Sequence, residues 1–198
     1  MGKVIAVCMS DRKGLQKHDV NTAHFSAEWG IDGDAHAGNW HRQVSLLSAD
    51  KIEAFNKRGA NVIPGAFGEN LVVEGFDFRA LPVGTLLRCG DVLLEMTQIG
   101  KECHSHCEIY KKMGECIMPR EGVFARVIEP GSISVGDEMS IEKREGHFPW
   151  QAAVITLSDK AAAGERKDES GPAIAKRLCE ASYEVVEEIV CLLYTSDA

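Results

Sequence analysis

The chain has no apolar run approaching the ~20 residues that a membrane-spanning helix needs. Its opening, MGKVIAVCMSDRKG, is charged at Lys3 and again from Asp11 to Lys13, and holds no secretory core. Positive charge is also in short supply: 22 Lys and Arg against 30 Asp and Glu leave a formal net charge of −8. That balance excludes a general nucleic-acid or anionic-membrane binder, while leaving room for a local basic pocket. The even cysteine count of a disulfide-stapled secreted module is missing too. Seven cysteines without a leader point to free thiols in a reducing compartment. The expected location is cytoplasmic, with no nucleic-acid partner and no membrane partner.

What is present is a globular composition, 44% hydrophobic and 26% charged over 198 residues, enough for one domain and part of another. Lys3–Cys8 (KVIAVC) reads as a strand, residues 9–23 as polar loop, and 43–47 (QVSLL) as a strand. Ser48 offers an N-cap for a helix over about 49–58, which Gly59 would stop. A strand is expected near Asn70–Val73. Gly90-Asp91 splits two apolar runs into a hairpin, and GVFARVIEPG and SISVGDEMSIE add short strands between Gly and Pro turns. The fold class is therefore mostly β, a barrel-like or sandwich domain with a few helices over residues 1–143. Residues 144–151 read as a linker. Strand 152–157, a helix over about 172–181 and strand 183–190 then make a βαβ unit, which a parallel sheet would normally extend. It reads as a truncated α/β fragment over 152–190. One back-translation of CLLYTSDA matches a transposon-end adaptor, so 191–198 is expected to be a non-native tail.

Several stretches carry candidate chemistry. KECHSHCEIYKKMGEC, residues 101–116, gathers Cys103, His104, His106, Cys107 and Cys116. Such a set can close around zinc, although the spacing departs from the usual paired ligands. It can also present a reactive thiolate, favoured by Lys101, Lys111, Lys112 and Arg120 nearby in sequence. Cys8, Cys89 and Cys179, each beside Val, Leu or Ala, read instead as small buried apolar residues. In GIDGDAHAG, Asp32, Asp34 and His36 alternate. An extended chain would put them on one side for a hard metal or phosphate, whereas a tight loop would turn the carboxylates to backbone N–H groups. PGAFGENL, ending beside Asn70, has glycines that permit close backbone approach. Arg120 and Arg126 can meet an anion, or Arg126 can sit in a cross-strand ion pair. Ser158, Asp159 and Asp168 stand where an α/β unit places ligands, at the strand's carboxyl end and a helix start, or they simply cap helices.

GDAHAG followed by HRQVSLLS, then GAFGENL, the LPVG and CGDVLLEMTQ hairpin, the cysteine loop and GSISVGDEM together resemble a MOSC domain. This is the module at the C-terminal end of molybdenum cofactor sulfurases and in small standalone bacterial proteins. The resemblance covers about residues 2–143. It implies a twisted β-barrel-like fold that binds molybdopterin or the molybdenum cofactor, or carries sulfur to it, through a cysteine. The implied partners include a cysteine desulfurase or a molybdoenzyme. Standalone members tend to have Pro-Cys after the matching strand and eukaryotic ones C-x-x-C. Here the chain has Glu-Cys at 102–103 and C-x3-C, so Cys107, Cys103 and then Cys116 are the candidates for catalysis or metal contact. Asp34, His36, Asn70, Arg120 and Arg126 are candidates for holding the cofactor. ITLSDKAAAGERKDESGPAIA and YEVVEEIV resemble the start of a molybdopterin adenylyltransferase-type domain, with Ser158, Asp159 and Asp168 as binding candidates. That family's Gly-Gly-Thr-Gly phosphate loop would lie further downstream, so adenylylation is not expected. The rival expectation is a non-enzymatic zinc module built on Cys103, Cys107 and Cys116.

Overall fold

The computed structural model describes all residues except 104–106, 145, 148–149, 182 and 194–198. Two compact units result, Met1–Lys143 and Arg144–Ala198.

The first unit contains β1 (Gly2–Met9), β2 (His18–Asp19), β3 (Thr22–Ser26), β4 (Gly30–Ile31), β5 (Val44–Ser48), α1 (Ala49–Lys57) and β6 (Leu71–Glu74). It continues with β7 (Leu86–Cys89), β8 (Val92–Ile99), α2 (Glu108–Met113), α3 (Met118–Glu121), β9 (Val123–Glu129), β10 (Gly131–Ser134) and β11 (Glu138–Glu142). Seven strands close a barrel in the order β11-β7-β8-β9-β5-β6-β1, sealed by β1 against β11. Every barrel pairing is antiparallel except β5 with β6. A second small sheet, β10-β3-β4, is built from the same unit.

The parallel exception has a cause in the sequence. β5 enters α1 directly through Ser48, so β6 pairs with it after a crossover rather than a tight turn. Parallel strands need cover on both faces, and they have it. Leu46, Leu71 and Val73 point into the barrel, while Leu47 and Val72 pack outward in a second cluster with Ile52 and Phe55 of α1. β1 serves both layers by a bulge between Val4 and Ala6, which lets Val4 and Val7 face inward and Ala6 and Cys8 face the helix layer. The Gly90-Asp91 hairpin forms with Cys89 opposite Val92, and Gly90 takes the positive φ required at its first turn position. Ser48 occupies the N-cap position, but its hydroxyl donates to the Phe76 carbonyl (2.5 Å) rather than capping α1.

Two expectations need correction here, and one open alternative is decided. Residues 9–23 are not all loop, because β2 and the start of β3 lie within them; Ala23 and Phe25 supply an inward face that two residues scarcely advertise. Of the two alternatives for Asp32, Asp34 and His36, the tight loop is the one formed, and not the extended row. The backbone turns there, leaving Asp32 exposed against His24 and Ser26 while Asp34 is buried. Cys8 and Cys89 are fully buried, but Cys179 is exposed. Its helix packs through Gly171, Ala175 and the half-buried Leu178, and one further residue rotates off that stripe.

The second unit holds β12 (Trp150–Leu157), α4 (Asp159–Ala162), α5 (Ser170–Glu180) and β13 (Tyr183–Cys191). β12 and β13 pair in parallel over their whole length. The expected linker ends earlier than 151, because Trp150 stacks on Tyr183 and Gln151 donates to Glu184 (2.9 Å), starting the strand. Likewise β13 runs into the expected tail through Cys191, and the Leu193 amide donates to Asp159 (2.8 Å). Val154 and Ala175 are buried, while Ile155, Leu157, Val186 and Val190 are exposed.

Leu94 is fully buried inside the barrel. Leu94→Ala should destabilise the first unit by about 2–5 kcal/mol through lost transfer energy plus the residual cavity, read from the urea midpoint of its unfolding transition.

Candidate functional site

Two groups of side chains stand out on the first unit. One is a buried polar node. Asp34 comes from the turn after β4, Lys17 from the loop before β2, and Asn70 from the residue before β6. Lys17 Nζ lies 2.9 Å from Asp34 Oδ2 and donates to Oδ1 (3.1 Å), with both side chains only 1% exposed. Asp34 also accepts from the amides of Ser10 (3.2 Å) and His36 (2.8 Å) and from Asn70 Nδ2 (3.1 Å). Asn70 donates further to the Cys8 carbonyl (3.0 Å) and accepts from the Ser45 amide and hydroxyl. Glu69 beside it is buried and caps the turn below, accepting from the amides of Gly65 (2.7 Å) and Phe67 (3.0 Å). Gly65 has φ +87°, and a Cβ there would strike the Lys17 backbone; the glycine of PGAFGENL lets two loops touch.

Burial opposes ionisation of Asp34. The His36 imidazole 3.5 Å away, the Lys17 ammonium and the His36 amide outweigh it and hold the carboxyl well below the usual carboxylate range. Asp34 and Asn70 thus have their polar atoms met by protein groups, and of the set only His36 reaches the surface, its side chain 37% exposed.

The second group is the cysteine loop. Its base is pinned where the Gly100 amide donates to Gly122 (2.7 Å) and the Lys101 amide to Pro119 (3.3 Å). Gly100, at φ +69°, leaves no room for a Cβ against the Pro119 carbonyl. α2 follows Cys107 and ends at Gly114 in the left-handed conformation. Between α2 and α3 opens a cavity of about 580 Å³ lined by Cys103, Cys107, Cys116, Tyr110, Lys101 and Arg120 among others. Cys103 and Cys107 are exposed; Cys116 is half-buried, and burial pushes its thiol up. The basic residues are largely engaged. Lys111 pairs with Glu108 (2.6 Å), Lys112 donates to the Ala60 carbonyl (2.7 Å), and Arg120 meets Glu115 (3.0 Å), which also takes Arg58. Among the described residues no group of three or more His, Cys, Asp or Glu is arranged to hold a metal ion. His104 and His106 lie outside the described residues.

The structure therefore brings Cys103, Cys107, Cys116 and Arg120 to one cavity and Asp34, His36 and Asn70 to another place. Arg126 joins neither: it sits opposite Glu95 on β8 and pairs with it at 2.8 Å. In the second unit Ser158 caps α4 and Asp168 accepts from the amides of Ser170 and Gly171 at the start of α5. Lys17 had no signal in the sequence, since its partner is set by the fold.

Two outcomes follow. Asp34→Asn leaves a buried ammonium unpaired and should cost about 3–5 kcal/mol at pH 7. Because the folded carboxyl titrates below its ordinary 3.8, the wild-type advantage is present above that value and shrinks as pH falls through the folded one; urea melts of both proteins at pH 7 and pH 3 check it. Native-state alkylation followed by mass spectrometry should modify the exposed Cys103, Cys107 and Cys179 first, the half-buried Cys116 and Cys191 slowly, and Cys8 and Cys89 only on unfolding.

The MOSC domain model matches residues 32–140. No curated protein matches the chain. Among solved structures it is similar to the YuaD protein from Bacillus subtilis, at 20% identity and TM-score 0.61, covering 73% of this chain and 98% of that one. It is also similar to YiiM from Geobacillus stearothermophilus, at 16% identity and TM-score 0.56 over 93% and 94%. For YiiM from Escherichia coli the values are 18% and 0.51 over 72% and 71%. At such identities these likenesses concern the fold alone. With its closed barrel and a family match over more than half its length, the chain belongs to the MOSC domain family.

Proposed function

We propose that the first unit binds the molybdenum cofactor, or carries sulfur toward it, through a cysteine thiol of the cavity between α2 and α3. Cys107 is the first choice, with Cys103 and Cys116 beside it. The observation that carries the reading is the convergence of three thiols on one open cavity in a MOSC domain. Its volume lies in the range that holds a cofactor-sized ligand. The thiols fit, since thiolates suit a soft or thiophilic centre, and Lys101 on the wall suits an anionic ligand, while Arg120 beside it is already paired with Glu115. When bound, molybdenum would supply a centre that takes sulfur as a ligand. The chain's own part is to hold the anionic portion, present a thiol at the cavity mouth, and keep that loop fixed through Gly100 and Gly122.

In the sulfur-carrying version, a Cys107 thiolate attacks the sulfane sulfur of a donor persulfide. The donor's S–S bond breaks, its thiolate leaves, and a new S–S bond forms on Cys107 without an external oxidant. A cysteine desulfurase is the matching donor and a molybdoenzyme a matching recipient. We further take residues 152–190 as the N-terminal part of a molybdopterin adenylyltransferase-type domain. The parallel β12–β13 pair with α5 supports that reading, and no adenylylation by this chain is expected.

The test is metal and pterin analysis of protein made in a host with an intact cofactor pathway. Wild type should carry molybdenum and pterin fluorescence near one per chain, and Cys107→Ala should lower the retained molybdenum at least ~10-fold. Wild type free of both would overturn cofactor binding. Stoichiometric zinc, with unfolding on chelation, would establish the zinc module instead.

A further inference from the structure

Most arginines of the first unit are neutralised. Arg58, Arg79, Arg88, Arg120 and Arg126 each meet a carboxylate. Arg42 does not, although the chain carries an excess of acid. Its guanidinium lies 4.8 Å from the Trp40 ring centroid and 5.6 Å from that of Phe124. Among the described residues it makes no hydrogen bond and no ion pair, and its Nε is shut off from water with no acceptor. Aromatic rings satisfy the faces of a guanidinium, not the N–H groups that radiate in its plane. The two rings thus fix a planar fork of donors and leave it unused.

The surroundings show where that fork sits. The Trp40 indole N–H donates to the His36 carbonyl (2.9 Å), which ties the platform to the loop after Asp34. Thr97 Oγ1 donates to the His41 carbonyl, and His41 Nε2 lies 2.9 Å from Gln98 Oε1. Gln98 Nε2 in turn donates to the Gly100 carbonyl (2.7 Å), one residue before Lys101 of the cysteine cavity. Gln98 and Lys101 are three residues apart, a span of at most roughly 10 Å.

We propose that Arg42, packed against the rings of Trp40 and Phe124, is the docking point for a phosphate-class oxyanion. A rigid, pre-ordered guanidinium matches two oxygens of such a group at once and loses little freedom on binding it. Where the rest of the ligand lies follows the cofactor reading above: an anionic end seated at Arg42 leaves the remainder free to run along the end of β8 toward the thiols. The anion site itself stands apart from that reading, because it can be tested with inorganic phosphate alone.

Titration of the full chain with inorganic phosphate at constant ionic strength, followed by calorimetry and tryptophan fluorescence, is the experiment. Wild type should bind saturably and more tightly than it binds acetate. R42Q should weaken phosphate at least ~10-fold, the loss of a charge-assisted bidentate contact, and R42K should weaken it while keeping the charge. W40F should retain calorimetric binding and lose most of the fluorescence change. R79Q, which removes an exposed arginine elsewhere, should bind as wild type does. Absence of saturable phosphate binding in wild type, or equal binding by folded R42Q or R42K, would overturn the assignment. Phosphate binding that R42Q abolishes supports it even in protein that never loads molybdenum.

Discussion

Burying Lys17 beside Asp34 takes two charges out of water, at a cost of several kcal/mol per ion that only close pairing and full hydrogen bonding offset. The structure meets that demand from three directions at once. The loop before β2 brings the ammonium, the turn after β4 brings the carboxylate, and Asn70 ahead of β6 links that carboxylate to the Cys8 carbonyl of β1. Each segment is irregular; the one ahead of β6 is anchored by Ala60 and Phe67 in the outer cluster, while the other two rely on polar contacts. The ion pair is what fixes them relative to the barrel, and through the His36 backbone it also fixes the start of the loop that carries Trp40 and Arg42.

From this node outward the unit divides its labour. The barrel strands form the rigid wall, and the loops between them carry the chemistry. The cysteine loop hangs from the end of β8 by backbone bonds at Gly100 and Gly122, so its thiols can lie open to a cavity while its base stays fixed. Arg42 is held from the side by rings rather than by a carboxylate, which keeps a cation available in a protein with little positive charge to spare. Arg126 illustrates the alternative: at a cross-strand position opposite Glu95 it stabilises the sheet and offers its charge to nothing else nearby but Glu28.

Residues whose partners lie close in sequence, or whose pattern follows the strand period, were readable beforehand. The Gly90-Asp91 hairpin, the β5-to-α1 passage and the parallel βαβ unit all belong to this kind. The thiol cluster was readable as a cluster, and its convergence on one cavity agrees with its density in sequence. β3 was hidden because only Ala23 and Phe25 mark its buried face among polar neighbours. Lys17 was hidden because a lysine in a polar stretch ordinarily faces water, and its burial depends on a carboxylate and a glycine brought in by other loops. Cys179 misled because local apolar company says nothing about which side of a helix a residue occupies. Arg42 stood within the recognised string HRQVSLLS, but its freedom from carboxylates is a property of the folded neighbourhood alone.

The seam of the barrel joins Gly2 and Lys3 to Met139 and Glu138. β1 therefore gains this neighbour only after nearly the whole unit has been made, and until then that edge stays open. Chain synthesis, rather than local propensity, sets the earliest moment at which the cylinder can shut.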